Sequence, residues 1–407
     1  MKFYKKTIRD LPLHGQTVLV RVDYNVPLND KGEISDDLRI RASLPTLKYL
    51  IEHDCKLVLI SHLGRPEGRD EAFSLAPVAV RLAELLGQEV KFIDATVGEK
   101  VYQGVRRAPK KSVILLENLR FEKGEKSDDA DFAKELAKCS HAEYFVQDAF
   151  GNIHRSDASM HAITQCLPSV SGLLVEREYT TIKKAMEHPK RPLVAVLGGA
   201  KVSDKIEVVE KFVGISDTIL IGGAMANTFL AYKGHSVGKS KVEADQKDTL
   251  DSIYAAAKKK EGDKVDQFLV LPTDVAVAPS VDASQKRTLR PVSSIQADDM
   301  ALDIGDVSIE HFTKIASHAG TVVWNGPLGV DELSEFSHGS ARMCLALATN
   351  PEIESVIGGG DTADFVLKWD SQGGKSFTHV STGGGASLDL MAGKKLPGIE
   401  SLLDARH

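Results

Sequence analysis

Short apolar, β-rich runs recur along the chain, separated by stretches with helical spacing. In the first half they are Thr17–Val22, Leu57–Ile60, Val90–Ile93, Ser112–Leu116 and Tyr144–Gln147. In the second half they are Leu193–Leu197, Thr218–Ile221, Phe268–Leu271, Thr321–Trp324, Ser355–Ile357 and His379–Ser381. Amphipathic candidates such as Ala76–Leu86 and Ala130–Ala137 lie between them. Continuous apolar runs suit strands buried on both faces, and their alternation with helices predicts βαβ units and parallel sheets. The expected fold class is α/β, with two Rossmann-like domains of parallel sheet joined by a hinge helix. Val175–Glu187 reads as that helix, stopped by His188-Pro189 and Arg191-Pro192. The expected boundaries are residues 1–172 for the first domain, 173–189 for the hinge helix and 190–390 for the second domain. Residues 391–407 are expected to pack back on the first domain.

Ligands of open parallel sheets bind beyond the carboxyl ends of the strands. The two halves carry different residues there. The second half carries glycine: Gly198-Gly199, Gly222-Gly223, Gly326, Gly358-Gly359-Gly360 and Gly383-Gly384-Gly385. The first half carries Arg21, Asp23 and Asn25, then Ser61, His62 and Arg65, then Glu117, Asn118 and Arg120, and finally His154 and Arg155. Glycine suggests backbone cradling of a nucleotide, and basic side chains suggest a small, highly anionic partner. The stretch LGGAKVSDKI (197–206) joins both themes. A helix starting near Ala200 would put Lys201 and Lys205 one turn apart on one face, at an N-terminus suited to phosphate. An ordinary βα turn with two solvated lysines fits the same letters.

Length and charge narrow the classes. At 407 residues two domains are the default, and 42% hydrophobic with 27% charged residues is ordinary for a globular protein. A net charge of −6 argues against bulk electrostatic binding of nucleic acid. The N-terminus MKFYKKTIRD lacks an apolar export signal, and no run nears the roughly 18 apolar residues of a membrane helix. Cys55, Cys139, Cys166 and Cys344 are scattered without metal-ligand spacing and read as free thiols of a reducing compartment. A cytoplasmic monomer is expected, with neither nucleic acid nor membrane as partner.

The common phosphate motifs are incomplete. Gly238-Lys239-Ser240 and Gly374-Lys375-Ser376 lack the upstream glycine of a P-loop, with Lys233 and Trp369 in its place. Gly358–Ala363 matches the dinucleotide pattern G-x-G-x-x-A, but the acidic residue about 20 positions on is missing. A nicotinamide oxidoreductase and a non-catalytic nucleotide-binding protein stay as alternatives. Asp361, beside Thr362, is a candidate ligand for nucleotide-bound Mg²⁺ or a helix N-cap. Glu332 is a candidate for a ribose hydroxyl. Arg39, Arg65, Arg120 and Arg155 are each surface charges taken singly, yet the topology sends them to one end of the sheet.

Seven segments in order now carry a resemblance: VLVRVDYNVP (18–27), SHLGRP (61–66), LLENLRF (115–121), LGGAKVSDKI (197–206), WNGPLGV (324–330), GGGDTA (358–363) and HVSTGGGASL (379–388). The chain resembles the phosphoglycerate kinase family over nearly its whole length. The resemblance implies reversible Mg²⁺-dependent phosphoryl transfer between 1,3-bisphosphoglycerate and ADP, giving 3-phosphoglycerate and ATP, as in glycolysis and gluconeogenesis. It implies a triose site at Asp23, Asn25, Arg39, His62, Arg65, Arg120 and Arg155. It implies a nucleotide site at Lys201, Lys205, Gly305, Glu332, Gly359, Gly360, Asp361 and Thr362, with Asp361 on the metal. Arg39, Lys201 and the N–H groups of Gly383–Ala386, Gly384 and Gly385 among them, would stabilise the group in transfer, and a hinge closure would bring the halves together. Ala224, Asp298-Asp299 and Asp331 depart from the family's usual residues around the base.

Overall fold

The β1 strand (Thr17–Arg21, TVLVR) is buried along almost its whole length, as the centre of a parallel sheet requires. The computed structural model describes residues 2–282 and 284–405. It divides into two compact units, Met1–Thr180 with Lys395–His407, and Thr181–Lys394. The division falls within the helix Leu173–Glu187.

In the first unit, β1 is joined by β2 (Lys56–Ile60), β3 (Val90–Ile93), β4 (Val113–Leu116), β5 (Tyr144–Gln147) and β6 (Ser169–Ser171). All pairings are parallel, in the order β3-β4-β2-β1-β5-β6. The chain starts in the middle, runs to one side and returns to the other, so the direction reverses at β1. That reversal leaves a crevice beyond the end of β1. Connecting helices obey local chemistry. Ala76–Leu86 ends at Gly87 in the left-handed region (φ +67°), and Asp129 caps Ala130–Ser140 by accepting from Phe132 N at 2.7 Å. The C-terminal stretch belongs to this unit: Lys6 N donates to Leu403 O (2.7 Å) and Lys5 Nζ pairs with Asp404 (2.7 Å).

The second unit holds β7 (Leu193–Leu197), β8 (Thr218–Ile221), β9 (Leu269–Val270), β10 (Asp274–Ala278), β11 (Thr288–Pro291), β12 (Met300–Ile304), β13 (Thr321–Asn325), β14 (Glu354–Gly358) and β15 (His379–Val380). Six form a parallel sheet in the order β15-β14-β13-β7-β8-β9, reversing between β7 and β13. The other three form an antiparallel sheet, β11-β10-β12, absent from the sequence reading. Its strand β11 is mostly exposed and β10 is a short DVAVA run. Neither has the long apolar signature used to find the parallel strands. Phe268 ends a short helix, which leaves β9 two residues long rather than four.

Candidate active site

In the first unit the loop after β1 supplies Asp23 and Asn25. Asp23 is buried and accepts from Arg39 Nη1 at 2.7 Å, drawing the helix Leu38–Glu52 to the strand end. Asn25 Oδ1 accepts from Gly64 N (2.8 Å), which ties the β1 loop to the β2 loop. Arg120 follows β4 and donates to Gly64 O at 3.1 Å, while its Nε is buried without a partner. Arg155, after β5, is held in a fork by Asp157 at 3.0 and 3.2 Å. His62 follows β2 and is 4% exposed. Burial first, then Arg21, Arg120, Arg39 and Arg155, push its imidazole well below the usual histidine range. Asp23, Asn25, Arg39, His62, Arg120 and Arg155 therefore converge. Arg65 is exposed and has no side-chain partner among the described residues.

The support beneath this set was not read from the sequence. Arg21, at the end of β1, has no exposed surface; its Nε donates to Ser159 Oγ (2.8 Å) and its charge faces the equally buried Glu125 at 3.9 Å. Ser159 also donates to Glu125 Oε1 at 2.6 Å. An arginine closing an otherwise apolar strand is the one sequence signal that pointed there.

In the second unit the ends of β7 and β13 lock together. Gly198 N donates to Asn325 O (3.0 Å) and Gly199 N to Pro327 O (2.8 Å). A Cβ on Gly198 would overlap Pro327 O, and Gly326 adopts φ +100°, so both positions require glycine. Lys205 Nζ donates to Gly198 O (2.6 Å) and Asn325 O (3.0 Å). Burial pushes its ammonium down to about 8, against the pull of Asp361 and Asp204. The expected helix at Ala200 is absent. A 3₁₀ turn, Ser203–Lys205, precedes a helix that starts only at Ile206, so Lys201 lies in the loop and shares no helical face with Lys205. The cause is Glu243, from a distant loop. Its carboxylate accepts from Val202 N (2.7 Å), Ser203 N (3.1 Å) and Ser203 Oγ, occupying the donors a helix start would offer a ligand. Desolvation raises the Glu243 pKa, but the Ser203 and Val202 bonds and the charge of Lys201 outweigh it and hold the group below the ordinary range.

A cavity of about 280 Å³ opens here, lined by Lys201, Lys205, Gly359, Gly360, Asp361 and Thr362 and closed by Gly384 and Gly385. Thr362 Oγ1 accepts from Gly326 N (2.8 Å), fixing the helix Gly360–Trp369 to the β13 loop. Asn325 also lines the cavity, and its buried Nδ2 has no partner; in the sequence it stands in WNGPLGV (324–330), where no role is expected of it. Three expected donors are already engaged. Gly222 N and Gly223 N bond to Leu197 O (2.8 Å) and Leu328 O (3.0 Å), and Ala386 N bonds to Gly383 O (2.9 Å). Gly305 and Glu332 do not line this cavity. Gly305 caps the helix Asp306–Ser317 and Glu332 is exposed, although Val330 N donates to Leu302 O (2.8 Å) and keeps the Glu332 loop on β12. Asp331, beside it, has both carboxylate oxygens buried with no partner at hydrogen-bond distance. Burial first, with Asp303, Glu332 and Asp361 nearby, pushes it up to about 8 against the downward pull of the Ser340 hydroxyl.

The same order of segments and strands occurs in known proteins. The sequence model of the phosphoglycerate kinase family matches residues 8–394. A phosphoglycerate kinase of Pelotomaculum thermopropionicum is 46% identical over 401 residues, spanning 98% of this chain and 99% of that protein. One from Akkermansia muciniphila is 48% identical over 407 residues, with 98% of each covered. Among solved structures, phosphoglycerate kinase from Coxiella burnetii superposes with a TM-score of 0.84 at 35% identity over 98% of both chains.

Proposed function

Because the chain belongs to the phosphoglycerate kinase family, we propose that its two units carry the two halves of that family's site. The family's reaction moves a phosphoryl group between 1,3-bisphosphoglycerate and ADP. The first unit binds the triose through Asp23, Asn25, Arg39, His62, Arg65, Arg120 and Arg155. The second binds the nucleotide phosphates at Lys201, Lys205, Gly359, Gly360, Asp361 and Thr362, with Gly305 and Glu332 toward the ribose. The observation that carries this is the cavity of about 280 Å³, where Lys201 and Lys205, the carboxylates of Asp204 and Asp361 and strand-end glycines meet at the reversal of the second sheet.

Mg²⁺ arrives with the nucleotide in this reading. Among the described residues no three acidic, histidine or cysteine side chains cluster as a metal site. That fits an ion held by one carboxylate, Asp361, with phosphate and water oxygens completing its shell. When bound, the ion neutralises charge on the phosphates. The chain's own residues do the rest. The attacking atom is a phosphate oxygen in one direction and a carboxylate in the other; both are ionised near pH 7, so no general base is needed. Catalysis then consists of alignment and of cations around the transferred group. Arg39 serves from the first unit, Lys201 from the second, and the Gly384 and Gly385 N–H groups assist. Lys205, fixed to backbone oxygens, holds the nucleotide phosphates. The two bound substrates must be brought within reach, and the segment around the helix Leu173–Glu187 is the proposed hinge.

A monomer is the proposed state. Cys55, Cys139, Cys166 and Cys344 are free, which supports a reducing, cytoplasmic setting. No helix of the described residues is long and apolar enough to cross a membrane. A coupled assay with 3-phosphoglycerate, ATP and Mg²⁺ tests the reading. Turnover in both directions is expected, and none in either would overturn it.

A further inference from the structure

His62 Nδ1 lies 3.4 Å from Arg21 Nη2 and 3.2 Å from Asn152 Nδ2. A guanidinium only donates. Arg21 cannot turn this group elsewhere, because its Nε donates to Ser159 Oγ (2.8 Å) and its Nη1 to Val22 O (2.5 Å). Nδ1 must therefore be the acceptor, and Asn152 must offer it the amide NH₂ rather than the oxygen. A ring that accepts at Nδ1 carries its proton on Nε2. An imidazolium is excluded by the same geometry, since an N–H at Nδ1 would face two donors. Nε2 itself has no protein partner among the described residues.

We infer that Arg21 and Asn152 are positioning residues that lock His62 in its neutral Nε2–H tautomer, so that the ring offers a permanent uncharged donor to an oxyanion of the acidic substrate. The surroundings explain why an uncharged donor suits the place. Arg21 from β1, Arg39 from the helix Leu38–Glu52, Arg120 from the turn after β4 and Arg155 from beyond β5 all face the ring. Asp23 is paired with Arg39, Asp157 with Arg155, and Glu125 faces Arg21. Another cation would add repulsion without adding a donor in a new direction. Neutral histidine keeps its donor while the arginines supply the charge. The identity of the ligand rests on the proposed triose site, whereas the tautomer does not.

Removing Arg21 would strand the buried Glu125 and threaten folding, so Asn152→Asp is the informative variant. The first measurement is the long-range ¹⁵N–¹H spectrum of the free, full-length protein labelled at histidine, with His62 assigned from His62→Gln. A neutral Nε2–H pattern from about pH 5.5 to about pH 8 is expected; an Nδ1–H or imidazolium pattern overturns the inference. The second is the KM for 3-phosphoglycerate against pH. The carboxylate introduced by Asn152→Asp would accept from Nδ1, leaving a doubly protonated ring at low pH and a bare Nε2 lone pair at high pH. The ratio of variant to unaltered KM should then climb with pH, by at most about tenfold per unit, while kcat changes less. A ratio constant with pH means a merely structural role and overturns the inference. Absence of turnover in the unaltered protein would count against the proposed function, and the spectrum would still decide the tautomer.

Discussion

Both parallel sheets reverse direction at a central strand and gather polar groups beyond it, yet they present different chemistry there. The first unit offers side chains: an aspartate, a histidine and arginines that reach in from a helix, a turn and separate loops. The second offers main chain at Gly359, Gly360, Gly384 and Gly385, beside glycine turns packed so closely that a Cβ at Gly198 would overlap Pro327 O, with Lys205 laid over them. Each solution has its own structural cost. Side-chain cations crowded at one strand end repel, so the first unit buries compensation beneath them, with Arg21 against Glu125 and Asp157 forked onto Arg155. Backbone donors need no counter-charge, but they demand positions where no side chain fits. Side chains suit a small anion whose shape must be read, and backbone suits a polyphosphate that only needs a cradle.

The sharpest way to break this comparison is Arg39→Ala. If side-chain charge drives transfer from the first unit, kcat in the coupled assay should fall by about 10³-fold or more, with the circular dichroism spectrum unchanged. Near-normal turnover would remove Arg39 from its role. The matching change in the backbone half is Gly198→Ala. A side chain there must displace the Pro327 carbonyl, at roughly 1–3 kcal/mol of stability by chemical denaturation, and ADP affinity by calorimetry should drop with it. Unchanged stability would mean that the turn is looser than its geometry implies.

Glu243→Ala asks whether the lysine loop needs its tether. Losing charge-assisted bonds to Val202 and Ser203 should raise the KM for ADP by several-fold, from about 1 kcal/mol or slightly more, while the KM for 3-phosphoglycerate stays put. Equal shifts in both would mean general damage.

The last test concerns Asp331, whose effect builds up over several pH units. Its folded pKa, about 8, lies above the unfolded value of about 3.9, so the folded state binds the extra proton. Stability therefore declines as pH rises from about 4 to 8, by at most about 1.4 kcal/mol per unit, and levels off above. Asp331→Asn lacks that slope. The gap between variant and unaltered protein in denaturant midpoints should widen in favour of the variant across this window. A pH-independent gap would show that the carboxyl is not protonated in the fold.

Much of the candidate site was legible because strand ends were. The runs Val90–Ile93, Tyr144–Gln147, Leu193–Leu197 and Thr218–Ile221 form strands with those same bounds. For the inner strands Leu193–Leu197 and Thr218–Ile221 the cause is burial on both faces, which demands a continuous apolar run, while Val90–Ile93 is an edge strand that carries Lys91. Parallel strands then send their carboxyl ends to one side, which turns a list of loop residues into a candidate site. Mg²⁺ chemistry and base recognition were less legible, because a lone Asp361 or Asp331 means little until its neighbours are known. The antiparallel sheet β11-β10-β12 escaped for a related reason: β11 is largely exposed and leaves no apolar signature.

By itself, the sequence determined where most of the parallel strands run, where glycine clears the backbone and which strand ends carry charge. These depend on each residue's own burial, size and conformational range. The tertiary structure alone decided what each polar group touches. It set Lys201 in a loop under Glu243, pressed Lys205 onto Gly198 O, left the Asn325 amide nitrogen buried without a partner beside the cavity and turned His62 into an acceptor for Arg21 and Asn152. Such contacts join residues far apart in the chain. A hydrogen bond depends on distance and direction within a few tenths of an ångström, and only the packed fold fixes those.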